Sequence, residues 1–262
     1  MYQAYKDLTE LPVKTRDGYH FAVSDMLFDD LHWTVRYLVI DTHSWLPGSK
    51  KLLISPISID AIDIDKQTLL LTITREDLLN SPTLDDHAPV SRHYEKTFFQ
   101  YYGYGYYWMN EGLWGASADP FALRQMTQEE PIQPEEGAEH PEVDYHLRSF
   151  EEVLGYKLHA KDERFGHVED FILDTRNWAV TLIAANTRNW WPGGKHVLIA
   201  PDHFTHVEWV EQEITLGLNK EDIKHQPEFD VFQPHHSTLA ALEALGKIAP
   251  EPTETDRDRK VG

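Results

Sequence analysis

The chain has 262 residues, no cysteine and a formal net charge of −20 at pH 7. The lack of cysteine excludes disulfides, thiolate metal sites and a cysteine nucleophile. The negative charge argues against nucleic acid and anionic membranes as partners. No stretch approaches the roughly 20 apolar residues that cross a bilayer, and residues 1–7 hold no apolar run, so we expect no signal peptide, no membrane insertion and a cytoplasmic location.

The first predicted elements are short strands separated by turns. Residues 33–40 are rich in β-branched and aromatic side chains, which favours a strand. Pro47-Gly48 suits the centre of a type II turn, because proline presets φ and glycine accepts a positive φ. Residues 51–55 then return as a second strand. Thr74 follows as the predicted N-cap of one helical turn whose first residues are acidic.

Residues 85–150 form a different region, an aromatic insert followed by an acidic linker. Residues 91–102 predict a short helix, which the glycine at position 103 would end. Four aromatic side chains would share one face of this helix: Tyr94, Phe98, Tyr101 and Tyr102. Residues 128–152 hold nine acids against one base, together with three prolines, which predicts an extended, solvated linker.

The second half of the chain repeats the first. Residues 17–82 align with residues 162–227 at a fixed offset of 145 positions without a gap, and 19 of the 66 positions are identical. A fixed offset with shared turn residues predicts a duplicated fold unit. The repeat places further strands at residues 178–183 and 196–200 and a second capped helical turn at Asn219.

The sequence therefore predicts a mainly β fold with two tandem small β-barrels. Many short strands with regular turns favour barrels or sandwiches, and a barrel leaves no exposed edges. The predicted regions are a first barrel (1–84), the insert and linker (85–150), a second barrel (151–232) and a C-terminal tail (233–262). The last part of the tail, from Pro250, is polar and is expected to be disordered.

Both copies carry a pattern that resembles a known module. A strand ends in aspartate, as Leu27-Phe28-Asp29 and as Ile172-Leu173-Asp174, and a β-rich strand and a Leu-Ile-x-Pro strand follow. This pattern resembles the PRC-barrel, the type of module found in the cytoplasmic domain of the photosynthetic reaction-centre H subunit and in the C-terminal domain of the ribosome-maturation factor RimM.

The insert is similar to a stretch that follows the first barrel in bacterial tandem PRC-barrel proteins. The matching residues are Ser81-Pro82, Pro89-Val90-Ser91-Arg92, Glu95, Tyr101-Tyr102-Gly103 and Tyr107-Trp108. The resemblance covers residues of about 10–110 and 150–230. It implies compact barrels that dock proteins, with no catalytic residues to carry over. The chain lacks the membrane helix of the H subunit and the separate N-terminal domain of the RimM type, so neither role is implied.

Tryptophans precede the Pro-Gly turn in both copies, where a strand pair would end at a barrel rim. Tryptophan at a rim often anchors an interface, because it buries a large area and keeps one polar atom. Candidate binding residues are therefore Trp45, Pro47, Trp190 and Trp191. Alternatively, these rings cap their own barrels or seal the contact between them. Their repetition favours this structural role, since a partner site usually diverges between copies.

The aromatic cluster of residues 98–108 is too apolar to remain in water. It could pack across one or both barrels, form the contact of a homodimer, or line a recognition groove. Four of its residues are further candidates for binding: Tyr101, Tyr102, Tyr107 and Trp108.

The fifteen histidines invite a metal hypothesis that their spacing does not support. His203 and His206 would point to opposite faces of a strand, and the adjacent His235 and His236 cannot easily share one ion. No pair shows the i, i+4 spacing of a helical zinc site. We therefore predict no metal residues, although a site assembled across the fold stays open as the alternative.

Catalytic patterns are also missing from the sequence. There is no Gly-x-Ser-x-Gly elbow, P-loop or dinucleotide fingerprint, so we predict no catalytic residues and no cofactor. Two pairs of aspartates match between the copies, Asp25 with Asp170 and Asp29 with Asp174. We interpret them as turn and strand-end residues whose side chains accept hydrogen bonds from nearby backbone N–H groups.

The leading functional hypothesis is a non-enzymatic adaptor or scaffold of the PRC-barrel type. The acidic chain favours a basic protein partner and a salt-sensitive association. The alternative is a small-ligand or metal-binding protein with its site between the barrels. A hydrolase would need a cleft that holds two carboxylates of perturbed pKa. The oligomeric state, monomer or homodimer, stays open.

Overall fold

The computed structural model describes residues 1–40, 50–63, 66–85, 89–124, 146–188, 190, 192, 194–230 and 234–247. The fold is mainly β, as predicted. The strands are β1 (Tyr2–Ala4), β2 (Val13–Lys14), β3 (His20–Phe21), β4 (Val23–Asp29), β5 (Thr34–Ile40), β6 (Lys50–Ile54), β7 (Ile59–Asp63), β8 (Thr68–Leu71), β9 (Leu84–Asp85), β10 (Leu147–Ser149), β11 (Lys157–His159), β12 (Arg164–Asp174), β13 (Ala179–Asn186), β14 (His196–Ile199), β15 (Phe204–Glu208) and β16 (Glu213–Leu216). The α-helices are α1 (Tyr5–Glu10), α2 (Arg75–Leu79), α3 (Arg92–Tyr102), α4 (Phe150–Val153), α5 (Lys220–Lys224) and α6 (Pro234–Ala244). Every helix within the described residues is too short or too polar to cross a bilayer.

The chain divides into two compact units. Unit 1 holds Met1, Gln3–Gly155 and Leu173–Thr181, and unit 2 holds Tyr2, Tyr156–Ile172 and Leu182–Gly262. The four predicted regions are not tested by this division and stay a prediction.

The centre of unit 1 is the antiparallel pair β4 and β5. Strand β10 pairs with β4, and β6 pairs with the other side of β5. All seven residues of β5 are buried, since the strand has neighbours on both sides and side chains against both faces. The strands predicted at residues 33–40 and 51–55 are confirmed as β5 and β6, and those at 178–183 and 196–200 as β13 and β14.

Two tryptophans in unit 1 have left-handed backbones. Trp33 has φ of 51° and Trp178 has φ of 62°, a conformation that costs a non-glycine residue roughly 1–2 kcal/mol. Reciprocal hydrogen bonds hold both turns: Val180 N donates to the Trp33 carbonyl at 2.7 Å, and Val35 N donates to the Trp178 carbonyl at 2.8 Å. The segment Leu173–Thr181 thereby belongs to the sheet of unit 1.

Each unit also contains a parallel strand pair of the same kind. In unit 1, β2 runs parallel to β8 with Val13 opposite Leu69. In unit 2, β11 runs parallel to β16 with Leu158 opposite Ile214. Val13 precedes Leu158 by 145 positions, and Leu69 precedes Ile214 by the same number. An antiparallel partner completes each arrangement, β7 on β8 and β15 on β16.

The two predicted helical turns are confirmed as α2 and α5. Thr74 Oγ1 accepts a hydrogen bond from Asp77 N at 3.1 Å, and Asp77 Oδ2 accepts one from Thr74 N at 2.8 Å. Asn219 and Asp222 form the same reciprocal cap at α5. These contacts satisfy N–H groups that a helix start leaves without partners.

Neither of the two sheets formed by the described strands closes into a barrel. The two closed barrels that the sequence predicts are therefore not seen in this part of the chain.

The helix predicted at residues 91–102 is confirmed as α3, and Gly103 ends it with φ of 68°. Its buried residues differ in part from the predicted face. Tyr94, Glu95, Phe98 and Phe99 are buried, whereas Tyr101 is 42% exposed. The sequence favoured the aromatic side chains alone, and it therefore missed a buried carboxylate among them.

The end of the predicted linker is folded. Residues 146–152, expected to be extended and solvated, contain β10 and most of α4. Arg148 Nε donates to Asp30 Oδ2 at 3.0 Å, and the buried Phe150 ring lies 4.6 Å from that of Phe28. The segment is folded instead of solvated because Phe150 is buried and Arg148 pairs with Asp30. Residues 125–145 lie outside the described residues, as does the predicted disordered end of the tail.

The cap of α2 gives a stability test. Thr74→Ala removes the hydroxyl that accepts from Asp77 N, so we expect the free energy of unfolding to fall by about 1 kcal/mol. Thr97 serves as the control, because its exposed hydroxyl only donates to the His93 carbonyl within α3. Thr97→Ala should change the free energy of unfolding by less than about 0.5 kcal/mol. Urea unfolding measures both, and equal losses would contradict the capping role.

Candidate functional site

A cavity of about 640 Å³ opens on the surface of unit 1. The turn after β4, the start of α3, the 3-10 turn Tyr107–Met109 and the residue before β10 meet around it. Its lining residues are Asp29, Asp30, Leu31, His32, Arg92, Tyr107, Trp108, Met109, Asn110, Glu111 and His146.

A buried carboxylate lies beside this cavity. Glu95 is 0% exposed, and its Oε1 accepts hydrogen bonds from the hydroxyls of Tyr107 at 2.7 Å and Tyr37 at 3.1 Å. Its Oε2 lies 2.9 Å from Arg92 Nη1 and 3.5 Å from His146 Nε2. Two hydroxyl donors and two basic side chains, from four separate segments, therefore surround one carboxylate.

Burial sets the proton affinities in this cluster. It raises the pKa of Glu95, and the charges of Arg92 and His146 together with the two tyrosine hydrogen bonds oppose that rise. Burial and the nearby carboxylate also raise the pKa values of Tyr37 and Tyr107 well above the ordinary tyrosine value. Both hydroxyls consequently stay protonated and act as donors.

A second buried ion pair holds one of the lining residues, Asp29. Arg36 Nε donates to Asp29 Oδ2 at 2.7 Å, and the Arg36 guanidinium carbon lies 3.9 Å from the ring centre of Tyr107 and 4.6 Å from that of Trp114. Asp29 Oδ1 accepts from the backbone N of His32 at 2.6 Å and lies 3.2 Å from the Nδ1 of the same residue. Asp29 thereby orients the His32 ring.

The rim of the cavity is apolar and exposed. Leu31 is 78% exposed and Met109 is 54% exposed. Trp108 lies next to Met109, with the Arg92 guanidinium carbon 4.3 Å from its ring centre and the Tyr106 ring stacked on it at 4.7 Å. We call Leu31, Trp108 and Met109 the apolar rim.

The structure brings together two of the predicted binding residues, Tyr107 and Trp108, at this cavity. Tyr101 lies on the exposed side of α3, and its hydroxyl donates to the Asp77 carbonyl at 2.8 Å. The half-buried Tyr102 ring stacks on Tyr104 at 5.3 Å. Trp190 in unit 2 is 38% exposed. Trp45, Pro47 and Trp191 lie outside the described residues.

The role predicted for the matched aspartates is confirmed. Asp25 Oδ1 accepts from Met26 N at 2.7 Å, and Asp170 Oδ1 accepts from Phe171 N at 2.8 Å. Asp174 Oδ1 accepts from Arg176 N at 3.1 Å, as Asp29 does from His32 N. Asp29 additionally pairs with Arg36, a contact that the sequence analysis missed.

Sequence reasoning also missed Arg92, His32 and His146. The one local signal was the spacing of Arg92 and Glu95, an opposite pair three residues apart at the start of an aromatic helix. His146 stands in the segment interpreted as a linker, and nothing near it in sequence points to the cavity.

Hydrogen-bond donors, aromatic rings, three carboxylates and two imidazoles meet at the cavity. Within the described part of the chain, no three histidine, aspartate or glutamate side chains are grouped to hold a metal ion.

Comparison with known proteins adds no relative: the sequence matches no protein-family model and no curated protein.

The raised pKa of Glu95 predicts a pH-dependent stability. The folded state keeps the Glu95 proton at pH values where the unfolded chain, with an ordinary pKa of 4.5, has lost it. The free energy of unfolding therefore falls as the pH rises from about 4.5 to the raised folded value. Glu95→Gln removes this dependence, so the wild type should lose stability relative to the variant over that interval. Urea unfolding across a pH series measures this, and a constant or growing wild-type advantage would contradict it.

Proposed function

We propose that the protein is a non-enzymatic interaction module that docks a partner protein on the apolar rim of unit 1. The observation that carries this proposal is the exposure of Leu31 and Met109, 78% and 54%, beside a cavity of ligand size. Exposed apolar side chains gathered around a recess are typical of interaction sites, whereas single exposed ones need no explanation.

The internal repeat supports a functional role for the rim. Asp29 and Trp33 recur 145 positions later as Asp174 and Trp178, but Leu31 aligns with Arg176. His32 likewise aligns with a different residue, Asn177. Residues that only maintain the fold are expected in both copies, whereas a binding site can be present in one copy alone.

The fold-level part of the proposal is a duplicated, PRC-type tandem arrangement. Three features at an offset of 145 support it: the left-handed Trp33 and Trp178, the left-handed Gln67 and Gln212, and the matched parallel strand pairs. A left-handed glutamine or tryptophan is uncommon, so its recurrence at aligned positions favours a common origin. The resemblance to PRC-barrels is consistent with a docking role.

Charge suggests the kind of partner. The formal net charge of −20 attracts a basic protein over long distances and raises its association rate. A cytoplasmic location also remains a prediction of the sequence.

A small-ligand-binding function is the second candidate, and the cavity itself favours it. Its volume of about 640 Å³ lies within the range of roughly 300–1,000 Å³ typical of ligand pockets. The predicted site between two barrels is replaced in this proposal by a site within unit 1.

Docking on the rim can be tested with matched variants. Leu31→Ser combined with Met109→Ser removes the exposed apolar side chains, so a crosslinked pull-down from the host should lose the partner. Val210→Ser is the control, because Val210 is 89% exposed in unit 2 and is not a lining residue of the cavity. Trp190→Ala, with Trp45→Ala, tests the predicted tryptophans in the same assay.

The captured protein is then purified and titrated against each variant. We expect the rim variant to bind at least about tenfold more weakly and Val210→Ser to bind like the wild type. Equal binding by the rim variant would contradict the proposed docking site.

Electrostatic attraction to a basic partner predicts salt sensitivity. Affinity for the captured protein should fall as salt is raised to about 0.5 M, where charges more than a few ångströms apart are screened. Unchanged affinity would contradict the charge complementarity but not the apolar contact. Calorimetric titration at a series of salt concentrations separates the two.

A further inference from the structure

We propose that strand β15 of unit 2 pairs with the same strand of a second copy of this chain, antiparallel and about a two-fold axis at Val207. In such a contact the same residues serve both copies, and each contact occurs twice. No residue of β15 lines the cavity or belongs to the apolar rim, so this inference is independent of the proposed function.

Strand β15 is an exposed edge of its sheet. Among the described strands it pairs with β16 alone. The side chains of His206 and Glu208 are 61% and 51% exposed, and Val210, just after the strand, is 89% exposed. An edge strand presents a row of backbone N–H and C=O groups that its own sheet does not use, which is a template for another strand.

The equivalent edge in unit 1 has a partner within its own unit. Strand β7 aligns with β15 at the offset of 145 positions. Arg124 Nη2 donates to the carbonyl of Ile57, just before β7, at 2.7 Å and to that of Ile59, its first residue, at 2.8 Å. After the second repeat the chain continues into α6 instead of an aromatic insert. The two copies of the repeat therefore treat the same edge differently.

The charges of β15 select one register for the pairing. His206 and Glu208 lie on the same face of the strand and contact each other. An antiparallel pairing centred on Val207 places each histidine opposite a glutamate of the second copy, so each imidazole lies between two carboxylates. Pairings centred on His206 or Glu208 place like side chains opposite each other, and like charges there are destabilising.

The regular part of the edge is short, which limits the strength of the contact. A bulge precedes His206, and a turn follows Glu208. The net charge of −20 on each copy also opposes association at low salt. At about 0.15 M salt this repulsion is screened beyond about 8 Å. We therefore expect a weak dimer, with a dissociation constant on the order of 10–100 µM at that salt concentration.

The lack of cysteine in the chain permits a direct test of the register. In Val207→Cys the two thiols face each other at the two-fold axis, on Cβ atoms about 5 Å apart, so a short bismaleimide should join the copies. Val210→Cys is the control, because Val210 is highly exposed but its two copies lie about 20 Å apart on antiparallel strands. We expect at least about tenfold less cross-linked dimer from the control. Equal yields, or no dimer from Val207→Cys, would overturn the proposal.

Exchange of charges tests the pairing of His206 with Glu208 by sedimentation equilibrium. His206→Glu places carboxylates opposite each other at both symmetric pairs, so the dissociation constant should rise at least about tenfold. His206→Glu combined with Glu208→His restores opposite types and should recover the wild-type value. His93→Glu is the matched control, since His93 is an exposed histidine of α3 in unit 1, and it should self-associate like the wild type.

The remaining outcomes each contradict the proposal. They are a wild type that stays monomeric up to about 1 mM, a dimer that His206→Glu leaves unchanged, and a double variant as weak as the single one. An equal loss in His93→Glu would assign the effect to net charge. Leu31→Ser with Met109→Ser should dimerise like the wild type, so failure of this inference and failure of docking on the rim can be distinguished.

Discussion

The burial of one carboxylate, that of Glu95, is the constraint on which the rest of unit 1 depends. A buried charge without partners costs several kcal/mol, and four side chains gather around this one. Tyr37 comes from β5, Arg92 from α3, Tyr107 from a 3-10 turn and His146 from the segment before β10. This requirement makes the aromatic insert part of the unit rather than an appendage.

The same requirement shapes the cavity. Three of the side chains that contact Glu95 also line the cavity: Arg92, Tyr107 and His146. The Arg36–Asp29 pair, with the rings of Tyr107 and Trp114 against the guanidinium, holds Asp29 in the lining. Polar groups held by packing and by second partners keep their geometry without a ligand, so little ordering would be needed when one binds.

Local patterns in the sequence were sufficient for much of the fold. The strands β5 and β6, the cap at Thr74 and the end of α3 at Gly103 each depend on residues adjacent in the chain. The cavity could not be predicted in this way, because its residues come from four separate segments. In the sequence, Glu95 has the pattern of an ordinary acidic residue near a helix start. Its hydrogen bond from Tyr37, 58 positions away, appears only in the fold. The folded end of the linker likewise depends on contacts with Asp30 and Phe28, more than a hundred residues earlier.

The reciprocal hydrogen bonds between the turns of Trp33 and Trp178 also affect how the chain acquires its structure. They join residues 147 and 143 positions apart, and contacts at such separation form slowly. During synthesis, the sheet of unit 1 lacks the segment Leu173–Thr181 until that segment has left the ribosome. Residues 156–172 of unit 2 must emerge before the segment Leu173–Thr181, which unit 1 needs. Unit 1 therefore cannot finish folding before part of unit 2 has been synthesised.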